Sequence, residues 1–416
     1  MKLLLCTPSY APHFGGGTES VVRAQAGALA ARGHAVTVIS GTARPHAGAD
    51  VIEERVDGIP VRFLPRHPGE KYSLLLERPR LRALIEALSA GADLAHVHHW
   101  FTLTGTLVRD LARRMPVVVT LHDFFSVCPR FFRIPPLPEI ICPGPGEVEP
   151  CVLCAGPDAP GHPREALRAE MRRRIVEWPA ELAAASALVL PSHAHAASLG
   201  ALTTLPAARR RVIGHGLCTP VPCEDVALEW TGAGPLRVLV LGHLSEVKGV
   251  DDLVDAVASL PPAERGRVEL LCLGEVVQPA YAEKLQSRAR NVRLALLGGY
   301  EPAALPRRVR EAGGAHLAAL PSRAQETYGL VLDEAFALGL PTWVADRGAP
   351  PERVGAAGRV LPAADPPAWS RALSALLRAP DMLRAERAAV PRRGRTAADA
   401  AAELDDLYRA LLASRP

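Results

Sequence analysis

Two successive α/β domains, each a parallel sheet with helices on both faces, are what this sequence predicts, on three observations. Short apolar runs alternate with longer amphipathic stretches along the whole chain, the pattern of repeated strand–helix units. At 416 residues the chain is too long for one ordinary domain, for which about 100–200 residues is usual. A segment at 217–235, carrying Pro220, Pro222, Gly232, Gly234 and Pro235, has no clear period, and a strand-then-glycine pattern restarts directly behind it.

The first strand is expected at 2–7, where an apolar run breaks at Pro8, and the next at 35–40, 94–98, 117–121 and 187–190. Between the first two, residues 18–32 place Val22, Ala26, Leu29 and Ala30 on one helical face, and Gly33 supplies the stop. The second series of strands is expected at 237–241, 268–273, 292–297, 316–320 and 342–345. A last helix at 397–413 aligns Leu404, Leu407, Tyr408, Leu411 and Leu412. Periodicity does not say where that stripe packs. The division expected is therefore an N-terminal domain at 1–216 with an insertion at 124–160, a linker at 217–235, a second domain at 236–395, and a helix at 396–416 that completes the first.

Hydrophobic residues make up 48% of the chain, enough for two full cores. A net charge of +4 argues against a dedicated nucleic-acid binder, which shows a pronounced basic footprint. The N-terminal run is too short for a signal peptide, and no stretch approaches 18 apolar residues, so a cytoplasmic protein without a membrane span is expected. The eight cysteines then read as thiols or metal ligands. Arg164, Arg168, Arg172, Arg173 and Arg174 share a helical stretch with Leu167, Met171, Ile175 and Trp178. That stretch allows weak peripheral membrane contact, but Glu165, Glu170 and Glu177 dilute its charge and favour a solvated face.

The most informative string runs from Glu326 through Thr327, Tyr328, Gly329, Leu330, Val331 and Glu334 to Gly339 and Pro341. A helix beginning near Gly329 would offer backbone N–H groups and its dipole to a phosphate. Glu334, farther along, suits two ribose hydroxyls, and Glu326, before the helix, would face a sugar. An amphipathic helix with solvated acids would explain the two glutamates alone, but not the complete string.

The string resembles the E-x7-E signature of glycosyltransferase family 4, whose fold is GT-B, two Rossmann-like domains with parallel sheets facing a central cleft. Four further segments resemble that family in its order: Phe14–Glu19 as the opening glycine loop, Val97-His98-His99 with the run ending in His122-Asp123, Gly242–Gly249 as the phosphate-clamp loop, and Leu320-Pro321-Ser322 as the strand end before the signature. The resemblance implies a retaining enzyme that moves a sugar from a GDP- or UDP-sugar to an acceptor, with no cofactor or catalytic metal. Lys248 would neutralise the donor diphosphate, and backbone amides at 328–331 would hold the same phosphates. Glu326 would bind the donor sugar and Glu334 the ribose, while Gly16 and Gly17 would let the N-terminal loop approach closely. His122 would touch the transferred sugar, so that His122, Lys248 and Glu326 form the catalytic set. Gly242 and His243 belong to the clamp, Gly299 and Tyr300 to the base pocket, and His13, His98, His99 and Asp123 to the acceptor side.

Three positions depart from the family pattern: His243 where arginine is usual, His215 where asparagine is common, and His316 in place of aspartate. Histidine is only partly protonated near neutral pH, whereas arginine is always charged. Either His243 contributes to the clamp, or Lys248 and the amides suffice. Cys128, Cys142, Cys151 and Cys154 fall within 27 residues and include a C-x2-C pair, which favours a structural zinc over four reduced thiols. An NAD-dependent oxidoreductase is disfavoured, because the glycine loop lacks G-x-G-x-x-G spacing and no acidic residue closes the second strand. A non-catalytic sugar-nucleotide-binding protein of the same fold is the other alternative.

Overall fold

The computed structural model describes residues 1–66, 78–100, 103–135, 142, 144 and 146–414. The chain forms two compact units, one made of 1–218 and 396–416, the other of 219–395.

The first unit holds an eight-stranded sheet. Its strands are β1 (Lys2–Thr7), β2 (Ala35–Thr42), β3 (Ile52–Val56), β4 (Ile59–Pro65), β5 (Leu94–Val97), β6 (Val117–Thr120), β7 (Ala187–Leu190) and β8 (Arg210–Val212), in the order β3-β4-β2-β1-β5-β6-β7-β8. All neighbours are parallel except the β3–β4 hairpin. The central strands are apolar on both sides because helices cover both faces. The second unit holds β9 (Leu236–Leu241), β10 (Val268–Leu273), β11 (Arg293–Leu296), β12 (Leu317–Leu320), β13 (Thr342–Ala345) and β14 (Gly358–Leu361), all parallel, in the order β11-β10-β9-β12-β13-β14.

Every strand expected from the sequence is present, its ends within two residues. Four strands are additional. The β3–β4 hairpin turns at Asp57 and Gly58, with φ of 50° and 80°, the paired positive values of a two-residue hairpin turn. The Asp-Gly signal was legible. β8 and β14 are edge strands of three and four residues with arginines in them, and nothing but pairing with β7 and β13 defines them.

The last helix, Ala397–Ala413, lies on the helix Gly17–Ala31: Ala400, Ala401, Leu404 and Tyr408 share one core with Val22, Ala26 and Leu29. Residues 219–235, expected as linker, are instead packed on the second unit. Val226 N–H donates to Leu338 O at 3.0 Å, Leu228 N–H to Ala315 O at 2.8 Å, and Trp230 enters the core beside Leu236. Arg164–Ala184 is one helix, in which Arg174 is buried and bonds Glu170 at 2.6 Å while Arg168 pairs with Glu149. Arg164, Arg172 and Arg173 are exposed. No helix among the described residues is long and apolar enough to cross a membrane.

The expected structural zinc is not supported. Among the described residues no group of three or more His, Cys, Asp or Glu side chains is placed to hold a metal. Cys151 and Cys154 lie within the regular helix Val148–Ala155. Burial pushes the Cys128 and Cys151 thiols up to about 11, and the neighbouring cysteines add to the shift. Residues 136–141, 143 and 145 of the insertion lie outside the described residues.

Candidate active site

Each sheet has a switch point in its parallel strand order, between β1 and β5 in the first unit and between β9 and β12 in the second. A parallel sheet opens a crevice at the carboxyl ends of two such strands, because their crossovers depart to opposite faces. Several of the candidate residues gather at these two places.

In the second unit, the loop after β9 carries Gly242 and His243 into a short turn, Glu246–Lys248. The loop after β12 carries Glu326 and reaches the helix Leu330–Ala337. Gly329 caps that helix at φ +79°, a conformation that a side chain disfavours, and there the chain turns sharply enough to start a helix. The two loops touch, Arg323 N–H donating to Val247 O at 2.9 Å, and the first also meets the helix: a Cβ on Gly242 would lie 3.0 Å from Val331 Cγ1.

Lys248 Nζ donates to Glu326 Oε1 at 2.6 Å, and the Ser322 hydroxyl donates to the same oxygen at 2.8 Å. Burial pushes the Glu326 carboxyl up, but Lys248 and Ser322 more than offset it, so Glu326 lies below the usual glutamate value. Lys248 itself is one-third exposed. Its turn is anchored by Arg323, whose guanidinium donates to Glu246 O at 2.9 Å while holding Asp251 and Asp252.

Glu334, 4% exposed, sits in the helix with both carboxylate oxygens engaged. Thr219 Oγ1 donates to one at 2.9 Å and the Tyr300 hydroxyl to the other at 2.6 Å. Burial raises the Glu334 carboxyl above its ordinary value despite these two bonds. Tyr300, expected beside the base, is thereby tied to the expected ribose ligand, and Gly299 precedes it. His243 is exposed on its loop, with no hydrogen bond or ion pair among the described residues. His316 lies at the far end of β12, where its Nδ1 accepts Arg237 N–H at 2.9 Å, and burial lowers it to about 4.

In the first unit, histidines cluster at the carboxyl ends of β5 and β6. His98 Nδ1 and His122 Nε2 are 3.0 Å apart, the His122 ring stacks on His215 at 4.9 Å, and His96 lies 4.0 Å from His98. His96 is bonded on both sides, to the Tyr408 hydroxyl at 2.5 Å and to Thr120 Oγ1 at 2.7 Å. Burial lowers His96, His99 and His122 to about 3, so these imidazoles are neutral. Asp123 lies 3.7 Å from His99, and burial pushes its carboxyl up to about 7.

His13, expected on the acceptor side, does not join this cluster. Its ring lies flat on Phe63 at 3.9 Å, and its nitrogens bond Thr42 at 2.9 Å and Glu54 at 3.1 Å, which leaves neither for a ligand. Sequence reasoning passed over Glu19, buried in the first turn of the helix Gly17–Ala31. A Cβ on Gly16 would lie 2.6 Å from its Oε2, so that glycine makes room for the protein's own carboxylate. Burial raises Glu19 to about 7, and its charge raises Asp123 further. A carboxylate two positions after three consecutive glycines was the available signal.

Known proteins resemble the chain in family and fold. Residues 15–219 match the sequence model of Glycosyltransferase Family 4, and residues 235–379 that of Glycosyl transferases group 1. Sucrose-phosphate synthase from Thermosynechococcus elongatus superposes with a TM-score of 0.70 at 19% identity, covering 100% of both chains. HepE of Anabaena, solved with UDP and glucose, gives 0.65 at 18% identity, over 99% of this chain and 100% of that one. The catalytic domain of Arabidopsis thaliana starch synthase IV, bound to ADP and acarbose, gives 0.64 at 16% identity over 99% of each chain. No curated protein sequence matches significantly. The chain belongs to the family 4 glycosyltransferases, and its two parallel-sheet α/β domains are those of the GT-B type.

Proposed function

We propose that the enzyme transfers a sugar from a nucleoside-diphosphate sugar to a hydroxyl-bearing acceptor with retention of anomeric configuration. The observation that carries this reading is the pairing of Lys248 with Glu326 immediately before the N-terminus of the helix Leu330–Ala337. A cation, a carboxylate and a row of helix-terminal N–H groups then meet at one switch point, as a diphosphate joined to a polyhydroxylated ring requires. In this reading Lys248 and the amides at 328–331 stabilise the charge that grows on the departing diphosphate. Glu326 accepts hydrogen bonds from the donor sugar and Glu334 from the ribose. His122, neutral and held by His98, offers a hydrogen-bonding ring at the strand ends of the first unit.

UDP-glucose, bound by HepE of Anabaena, is the first donor to try, followed by GDP- and ADP-sugars. Hydrolysis of the donor without acceptor, followed by proton NMR of the released sugar, tests the reading. Release of the donor's own anomer supports it, the opposite anomer refutes retention, and no turnover or binding with any donor refutes the transferase site.

A further inference from the structure

We propose that Arg353 is a positioning residue for the donor diphosphate, acting through the backbone turn that receives it. The inference rests on reading residues 328–331 as the phosphate turn. Arg353 extends from the helix Pro350–Val354 beneath that turn and is largely buried. Its Nη1 donates to Tyr328 O at 2.8 Å and to Gly329 O at 3.1 Å, and its Nη2 bonds Asp333. Its guanidinium carbon lies 3.6 Å from the centroid of the Tyr328 ring.

Each carbonyl that Arg353 holds belongs to the same peptide plane as the next residue's N–H. Fixing Tyr328 O therefore fixes the Gly329 N–H, and fixing Gly329 O fixes the Leu330 N–H. A charged donor on a carbonyl also withdraws electron density from the amide, which strengthens its N–H as a donor in turn. Gly329 has the freest backbone in the turn, at φ +79°, and a peptide plane left loose there would turn its N–H away from an anion. Asp333 neutralises the guanidinium and Tyr328 covers its face, so the arginine works through the peptide groups rather than as a second cation on the phosphate. Lysine cannot substitute fully, because one ammonium lacks the planar fork that spans two carbonyls and a carboxylate.

The test compares wild type with Arg353→Gln and Arg353→Lys, titrated by NMR with UDP and uridine, and in parallel with GDP and guanosine. For whichever base binds, the diphosphate should lose about tenfold in affinity in Arg353→Gln, the size of one charge-assisted hydrogen bond, and less in Arg353→Lys. Nucleoside affinity should be unchanged, because it does not depend on the phosphate turn. Equal losses for nucleoside and diphosphate, or no loss in either variant, overturn the inference. If Arg353→Gln does not fold, the folded lysine variant alone decides by the same ratio. If wild type binds no nucleoside diphosphate, the donor-site reading falls first and this inference with it.

Discussion

Lys248 Nζ and Glu326 Oε1, 78 residues apart in the chain, form a 2.6 Å ion pair. The cation expected to meet the diphosphate therefore also neutralises the largely buried carboxylate expected to meet the sugar. Lys248→Ala should lower turnover by a factor on the order of 10²–10³. It should also destabilise the fold by about 1–3 kcal/mol, since Glu326 is left without its counter-ion in a low-dielectric site and keeps only the Ser322 hydrogen bond. Adding Glu326→Gln should recover most of the stability and none of the activity. Thermal melts and donor-hydrolysis rates of the single and double variants check this, and an undiminished melting temperature in Lys248→Ala would contradict it.

The Tyr300 hydroxyl supports the ionised form of Glu334. Ribose recognition by Glu334 uses the charged carboxylate, so nucleotide affinity should fall as pH drops through the Glu334 pKa. Tyr300→Phe removes one stabilising hydrogen bond and raises that pKa further. The acid limb of the affinity profile should move to higher pH in the variant. Nucleotide titrations between pH 5 and 8 read the shift, and superimposable profiles would mean that Glu334 does not hold the ribose.

His243 is exposed on the clamp loop. If this position contributes to diphosphate binding, His243→Arg, which fixes a permanent charge there, should tighten the nucleoside diphosphate and leave the nucleoside unchanged. Equal diphosphate affinities of the two proteins would assign the clamp to Lys248 and the helix terminus alone.

The buried histidines make acid stability a second test. His96, held near 3 in the folded chain, takes up a proton near its ordinary 6.5 when unfolded. Its stabilisation is complete above about 6.5 and is lost as pH falls toward 3. Asp123 and Glu19, raised to about 7, titrate in the opposite sense, so total stability alone is uninformative. The penalty of His96→Gln relative to wild type isolates the histidine. Measured by chemical denaturation, it should shrink between pH 7 and pH 4, and a constant penalty would contradict the neutral, bonded state.

Sequence alone determined the features that depend on neighbouring residues. Apolar runs marked the central strands because both faces of a parallel sheet are covered, and Gly329 marked the start of the helix because few other residues turn the chain there. For the cysteines the spacing suits a zinc site, but among the described residues no group of side chains is placed to hold one. Tertiary structure alone decided which distant groups meet. Thr219 reaches Glu334 across 115 residues, Arg353 comes to lie under Tyr328, and Tyr408 of the last helix returns to His96 across 312. The Lys248–Glu326 pair follows from strand order: β9 lies between β10 and β12, so the loops after β9 and β12 open side by side. Periodicity and motif spacing describe one element at a time. The order in which strands pair is set by how all the crossovers pack together, which no single stretch of residues encodes.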